Sequence, residues 1–315
     1  MIRQASLPFP LAPPLAAGSE APPLGRRGPV AYLELAVGEL LNRVTSPRLP
    51  FAWTINPYRG CEFGCPFCYA RYTHDFLEPA GGRAFETRIF VKHRAPQVLR
   101  RQLRRRVLQG QPIAIGTASD PYQPAEGRFR LTRELLELFL PAAGLHLSLT
   151  TRSPLVLRDL DLLTALDRRH HVEVNLSLLT VDPELARALE PRAPSPRARL
   201  EAAARLAAAG LTVNLFCQPL LPGIHDDEAV LAPLFAAATA AGVRDLVASP
   251  LFLRSPARER FFAWLGAHRP ALLPRYRQLY RNRTRLDRAA SERLLAPFRR
   301  LRLAHGFPRP LAGRT

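Results

Sequence analysis

From residue 51 to residue 268, short apolar runs alternate six times with longer amphipathic ones. FAWTINPY, QPIAIGT, LHLSLTT, HVEVNLSLL, LTVNLFCQPL and VRDLVASPLFL read as strands. The stretches after them, APQVLRRQLRRRVLQG, LTRELLELFLPAAG, LVLRDLDLLTALDRR, SPRARLEAAARLAAAG, DDEAVLAPLFAAATAAG and ARERFFAWLGAH, read as helices. In the fourth of them Ser195 and Pro196 fit the N-cap and first helical position, and Gly210 fits the C-terminal stop. Six β-then-α units in series predict an α/β fold with a parallel sheet and right-handed crossovers, which a closed or partly closed TIM-like barrel satisfies. Reactive groups in such barrels gather at the carboxyl ends of the strands, and the loop after the first strand leaves at that end.

The flanks read differently. Residues 1–45 are rich in Pro, Ala and Gly with little periodicity, and are expected to form a disordered leader. LPFPLAPPLAAG, preceded by Arg3, superficially suggests a signal peptide, but its prolines break the apolar helix such a peptide needs. Residues 46–268 would form the barrel domain. Residues 269–315, with ALLPRYRQLYRN and AASERLLAPFRRLRLAHG, would form a basic helical C-terminal extension. A hydrophobic content of 47% over 315 residues supports a substantial core. No run reaches the about 18 apolar residues of a membrane span, so no membrane partner is expected.

A formal charge of +19 points to a polyanionic partner such as nucleic acid, although an arginine-rich composition with Lys92 as the sole lysine also follows from a GC-rich genome. Arg254 to Thr315 holds 16 Arg against Glu259, Asp287 and Glu292. Interleaved with Tyr276, Tyr280, Phe298 and Phe307, such a tail can grip a phosphate backbone; a solvated helical face explains the same arginines.

Chemistry concentrates in NPYRGCEFGCPFCYARYTH, where Cys61, Cys65 and Cys68 stand in CxxxCxxC spacing. Three thiolates so placed can hold three irons of a 4Fe-4S cube and leave the fourth open, with Gly60, Gly64 and Pro66 turning the loop. The rival is a zinc site in a non-enzymatic, zinc-dependent nucleic-acid-binding protein. Structural zinc usually takes four ligands in two pairs; only His74 lies near, and Cys217 is solitary. Free thiols beside an oxygen-labile cluster point to a reducing cytoplasm.

The cysteine loop together with FETRIFVKHRAPQVLRRQL, GTASDPYQPAE, LTRELLE, TTRSPLVLRDLDLL, VNLSLLTVD, EPRAPSPRARL and PLLPGIHD resembles the spore photoproduct lyase-like branch of the radical S-adenosylmethionine (SAM) superfamily, over residues 47–226. The resemblance implies a partial (β/α)6 barrel with the cluster at its mouth and SAM chelating the unique iron. It implies Cys61, Cys65 and Cys68 as cluster ligands. Phe67 would lie beside the adenine and the Tyr69 backbone at its edge. Thr117, Ser119 and Asp120 match the segment that receives the methionine amino group. Asp120 also fits a plain Asp-Pro turn. Arg152 stands where relatives often carry a lysine that pairs with the SAM carboxylate. Asn175 and Ser177 match ribose-contacting positions and share one strand face. PLLPGIHD matches a loop near the adenine, and a Pro-Gly turn explains it equally.

The activity implied by the resemblance is reductive cleavage of SAM to methionine and a 5′-deoxyadenosyl radical that abstracts hydrogen from a substrate. DNA repair or modification is one such use, and an electron donor such as flavodoxin or ferredoxin would be required. One departure bears on function. Photoproduct lyases carry a hydrogen-donating cysteine about where Thr117 and Ala118 stand here, and GTASDPYQPAE holds no thiol. Cys217 reads as a buried structural residue, and Tyr58, Tyr69 and Tyr122 are the alternative donors.

Overall fold

The computed structural model describes residues 21–47, 49–74, 84–105, 108 and 110–308. In chain order its strands are β1 (Pro23–Arg27), β2 (Val30–Glu34), β3 (Asn42–Arg43), β4 (Trp53–Ile55), β5 (Tyr58–Arg59), β6 (Arg88–Val91), β7 (Pro112–Ile115), β8 (His146–Thr151), β9 (His171–Ser177), β10 (Thr212–Leu220) and β11 (Asp245–Pro250). Its α-helices are α1 (Ala84–Thr87), α2 (Ala95–Leu103), α3 (Pro124–Phe129), α4 (Leu131–Glu137), α5 (Leu160–Asp167), α6 (Pro183–Leu189), α7 (Pro196–Ala208), α8 (Glu228–Ala240), α9 (Ala257–His268), α10 (Leu273–Leu279) and α11 (Arg288–Ala304).

The larger sheet runs β11-β10-β9-β8-β7-β4-β3. Its six strands from β4 to β11 pair in parallel, each with the next barrel strand in sequence, and β3 adds an antiparallel edge. Among the described residues β4 and β11 do not pair, so the sheet is an open, partial (β/α)6 barrel. Register and alternation divide its side chains. Leu147, Leu149, Val172, Val174, Leu176, Val213 and Leu215 are buried in the main core with the leucines of α4, α5, α7 and α8. The opposite face carries Ser148, Thr150, Glu173, Asn175, Ser177, Thr212 and Asn214. The caps follow the sequence: Ser195 Oγ accepts the Ala198 N–H at 3.2 Å, and Gly210 has φ +86°.

Residues 21–44 depart from the expected disordered leader. They carry β1, β2 and β3 and bury Val30, Tyr32, Leu33, Leu40 and Leu41. β1 pairs antiparallel with β2, β2 parallel with β6, and β5 antiparallel with β6, giving a second sheet ordered β1-β2-β6-β5. The leader's few apolar residues suffice for order because β6 supplies a template. Residues 1–20, also assigned to that leader, lie outside the described residues.

The C-terminal segment is built onto the barrel. Phe298 and Phe307 pack on Phe235 of α8, with ring centroids 4.9 and 6.0 Å away, and Tyr276 packs on Phe261 of α9. Tyr276, Tyr280, Phe298 and Phe307 are all buried, which removes them as base-stacking platforms. Hydrophobic burial outweighed the phosphate-binding arrangement expected of them.

Candidate active site

β4 ends at Ile55, and β5 leads through Gly60 into the cysteine loop. Gly60 adopts φ +79°, and a Cβ there would lie 2.8 Å from the Phe85 carbonyl oxygen and 2.9 Å from that of Arg88. Only glycine fits that turn. Cys61 and Cys65 are buried and Cys68 half-buried, all three as free thiols. Burial pushes the Cys61 thiol well up, with Asp120 and the other two thiols adding to it. Cys65 is pushed up to about 12, again by burial first, and Arg152 opposes the shift.

Both sheets hold this loop. From the barrel side, Gln123 accepts the Glu62 N–H at 3.0 Å and donates to the Gly60 carbonyl at 3.1 Å. Within the loop itself, Arg71 donates to the Cys65 carbonyl at 3.0 Å while its guanidinium pairs with buried Glu86 of α1 at 2.7 Å. From the smaller sheet, Arg27 Nη2 lies 2.5 Å from Glu62 Oε2, and Tyr32 donates to Glu62 Oε1 at 3.3 Å. Lys92, whose pKa burial lowers to about 7, donates to the Asn56 carbonyl at 2.6 Å.

The segment after β7 is knitted to the same loop. Thr117 accepts from Asn56 Nδ2 at 3.0 Å, and its carbonyl accepts the Tyr69 hydroxyl. Ser119 donates to the Tyr58 carbonyl at 2.9 Å. Asp120 accepts from the Thr151 hydroxyl at 2.6 Å, the Arg152 N–H at 2.7 Å and the Tyr122 N–H at 2.9 Å. The Tyr122 bond is the turn expected of Asp-Pro; the other two tie the end of β7 to the end of β8. Burial nonetheless raises the Asp120 pKa, with those bonds opposing the rise.

Arg152 is the cation that most opposes the rise at Cys65. Its Nε is held by Glu190 Oε1 at 2.6 Å, and Arg199 Nη1 holds Glu190 Oε2 at 2.5 Å. Burial works against the Arg152 charge, but Cys65, Glu190 and Cys68 together keep its pKa well above the usual value. Among the described residues, no hydrogen bond engages its two Nη groups.

Across the barrel face runs a polar ladder. Asn175 Nδ2 donates to Ser148 Oγ at 2.9 Å and Thr150 Oγ1 at 3.4 Å, and Asn175 Oδ1 accepts from Asn214 at 2.9 Å. Ser177 lies one alternate position on, and its Oγ makes no hydrogen bond among the described residues. Ser148, Thr150 and Asn214 escape a reading of the sequence alone; alternation flags them, but their partnership needs the register. Phe67 is buried in the main core.

The remaining thiol and tyrosines sort by position. Cys217 alternates with the helix-facing Val213 and Leu215, is fully buried, and its Sγ donates to the Leu179 carbonyl at 3.3 Å. Tyr58 donates to Glu126 at 2.5 Å and Tyr122 to Asp159 at 3.0 Å, so both hydroxyls are engaged in the carboxylate–Arg158 network. Tyr69 alone has a cluster-loop thiol, Cys68, and Arg152 among its charged neighbours.

A thiol triad at the carboxyl ends of an open parallel barrel, with a guanidinium beside it, defines an enzyme built around a metal cluster. Residues 55–232 match the Radical SAM superfamily, and the chain belongs to that superfamily. An uncharacterized protein of Mycobacterium bovis is 38% identical over 253 residues, covering 80% of this chain and 74% of its own. Another, from Methanocaldococcus jannaschii, is 30% identical over 189 residues, covering 60% of this chain and 68% of its own. The fold matches a spore photoproduct lyase variant with bound AdoMet and dinucleoside spore photoproduct at TM-score 0.59 and 17% identity, covering 81% of this chain and 74% of that one. A second lyase variant matches at TM-score 0.62 and 14% identity, covering 87% and 79%. At such identities the likeness is one of fold.

Members of the superfamily carry a 4Fe-4S cluster and SAM, and the donor set here fits the cluster. A tetrahedral zinc with Zn–S bonds of ~2.3 Å would draw thiolates to about 3.8 Å from each other. Among the described residues, the metal-ligating groups that close to within 4.8 Å do not include the three thiols. Nor does a fourth ligand come forward. His74 packs between Phe85 and Phe90, at 5.8 and 5.4 Å, and burial lowers its pKa to about 4. No helix among the described residues is long and apolar enough to cross a membrane.

Proposed function

We propose that this radical SAM enzyme abstracts hydrogen from a nucleic-acid substrate. Cys61, Cys65 and Cys68 would hold the cluster. Asp120 orders the segment that faces the SAM ammonium, Arg152 offers two Nη donors to the SAM carboxylate, and Ser177 and Asn175 serve the ribose. When bound, the cluster and SAM supply one-electron reduction of the sulfonium and hydrogen abstraction. The chain contributes orientation, exclusion of water, and a fixed positive charge set by Glu190 and Arg199. Tyr69 would be the candidate to return hydrogen to the product, because it neighbours Cys68 and Arg152; its hydroxyl would have to leave the Thr117 carbonyl, whereas Cys217, Tyr58 and Tyr122 lie in other networks. Free thiols suit a reducing cytoplasm, and a ferredoxin or flavodoxin would supply electrons.

The observation that carries the substrate class is the set of exposed arginines Arg275 and Arg277 on α10, Arg281 in the turn after it, and Arg288 and Arg293 on α11, in a chain of charge +19. Arg283, Arg299, Arg300 and Arg302 are engaged in ion pairs and contribute less. That lyase structures of the same fold hold a dinucleoside photoproduct supports the reading. The test is protein reconstituted with iron and sulfide without oxygen, then given reductant, SAM and either plain or ultraviolet-irradiated oligonucleotides. 5′-Deoxyadenosine release should rise with an oligonucleotide and be lost in Cys61→Ala, Cys65→Ala and Cys68→Ala. Mass spectrometry should show a changed base or sugar. Release driven by a peptide or metabolite extract and indifferent to every oligonucleotide would overturn the substrate class while leaving the enzyme class intact.

A further inference from the structure

At the far end of the barrel strands from the cysteine loop, three ligand-type side chains converge. His146 opens β8 and His171 opens β9, and the register pairs them directly, with Ser148 paired to Glu173. The two imidazoles meet edge to face with ring centroids 4.6 Å apart. Glu173 Oε1 lies 3.5 Å from His146 Nε2 and 3.2 Å from His171 Nε2. One donor atom from each residue falls within 4.8 Å of the other two.

We propose that His146, His171 and Glu173 bind one divalent transition ion, zinc in the first instance, as a staple across β8 and β9. Zinc bonds of ~2.0–2.1 Å to nitrogen and oxygen separate tetrahedral ligands by about 3.3–3.4 Å, and the two measured separations bracket that value. Two imidazoles and a carboxylate suit a borderline ion over magnesium or calcium, which prefer all-oxygen shells. Water would complete the shell, and the His171 side chain, 53% exposed, gives the ion a path in. Five residue steps along β8 carry His146 to Thr151, roughly 17 Å of strand, so the site is independent of the radical chemistry and its ion stabilises β-sheet structure. A bare His171–Glu173 hydrogen bond with the His146 ring packed beside it is the competing account of the same distances.

The experiment loads the full chain with its iron–sulfur cluster, removes adventitious metal, and titrates zinc alone. One zinc per chain above the cluster iron is expected, with a rise in Tm of about 5 °C at a hundredfold excess over Kd. His171→Ala, at an exposed position, should abolish both, and Glu173→Gln should weaken binding at least tenfold, whereas Cys217→Ser should leave the stoichiometry at one. Cobalt(II) in place of zinc should give the intense visible bands of a tetrahedral site, absent in His171→Ala. Failure of zinc to bind, or zinc retained in both His171→Ala and His146→Ala, would overturn the proposal in favour of the bare His171–Glu173 hydrogen bond.

Discussion

The barrel sheet and the smaller N-terminal sheet grip one cysteine loop by different physics. On the barrel side the loop meets charge that is buried: Glu190 between Arg152 and Arg199. On the other side it meets Glu62, also buried, through Arg27, whose side chain is 60% exposed. Desolvated pairs cannot lose a partner cheaply, while water replaces an exposed one. The barrel should therefore fix whether the site exists, and the smaller sheet how well its loop is ordered.

The largest effect should come from Glu190→Ala. It strands two guanidiniums in the interior, and breaking such a pair costs about 3–5 kcal/mol, or roughly 5–8 °C in Tm for a chain of this size. Thermal unfolding of cluster-loaded protein measures it. A loss below ~1 kcal/mol would show that water reaches the knot and that the two sides of the loop do not differ.

Next is a dependence on acid. His225, within the β10–α8 connection, is buried, and desolvation lowers its pKa to about 4, with the Glu190 carboxylate and Pro219 carbonyl opposing. His74 is held at about 4 in the same way. With an unfolded value near 6.5, the unfolded chain binds more protons between these limits. Stability is therefore intact above pH ~6.5, falls as pH drops, and has lost about 3 kcal/mol per histidine below pH ~4. His225→Asn should flatten that slope by about half in urea midpoints taken from pH 7.5 to 5. An unchanged slope would place the His225 ring in contact with solvent.

Gly60→Ala should come third at about 2–3 kcal/mol, because φ +79° penalises any Cβ and two carbonyl oxygens close within 3 Å of it. Iron content per chain should drop with it. Full iron retention at unchanged Tm would mean that the β5–β6 turn gives way freely.

The barrel side could be read from sequence and the smaller sheet could not, because their signals reside in different places. Barrel strands and helices announce themselves through local periodicity and caps, and Ser195 and Gly210 act as their residue types predict. The smaller sheet has no such period. β1 is PLGRR, which carries both Pro and Gly, β5 is two residues long, and β2 finds its parallel partner β6 more than fifty residues away. The three cysteines were legible from their spacing and Asp120 as an acceptor on a strand-end loop, whereas Arg152 came into view only through the family resemblance. Glu190, Gln123 and Glu62 were not legible, because each acts through a partner that only the folded chain brings near. The tail misled for the same reason: Tyr276 and Phe298 look like stacking platforms until their neighbours in α8 and α9 are known.

The smallest effects belong to the N-terminal tether, and they separate its two members. Tyr32 is buried, and Tyr32→Phe removes one hydrogen bond to a buried carboxylate, which should cost about 1–2 kcal/mol. Arg27→Ala takes away a mostly exposed partner and should cost under ~1 kcal/mol, less still in high salt. Neither should alter the number of irons bound. The double variant should instead lower the concentration of urea at which the cluster is lost, since Glu62 then keeps only its backbone bond to Gln123. If Arg27→Ala alone strips iron, or costs as much stability as Glu190→Ala, the smaller sheet is part of the site's foundation and the asymmetry drawn from burial is wrong.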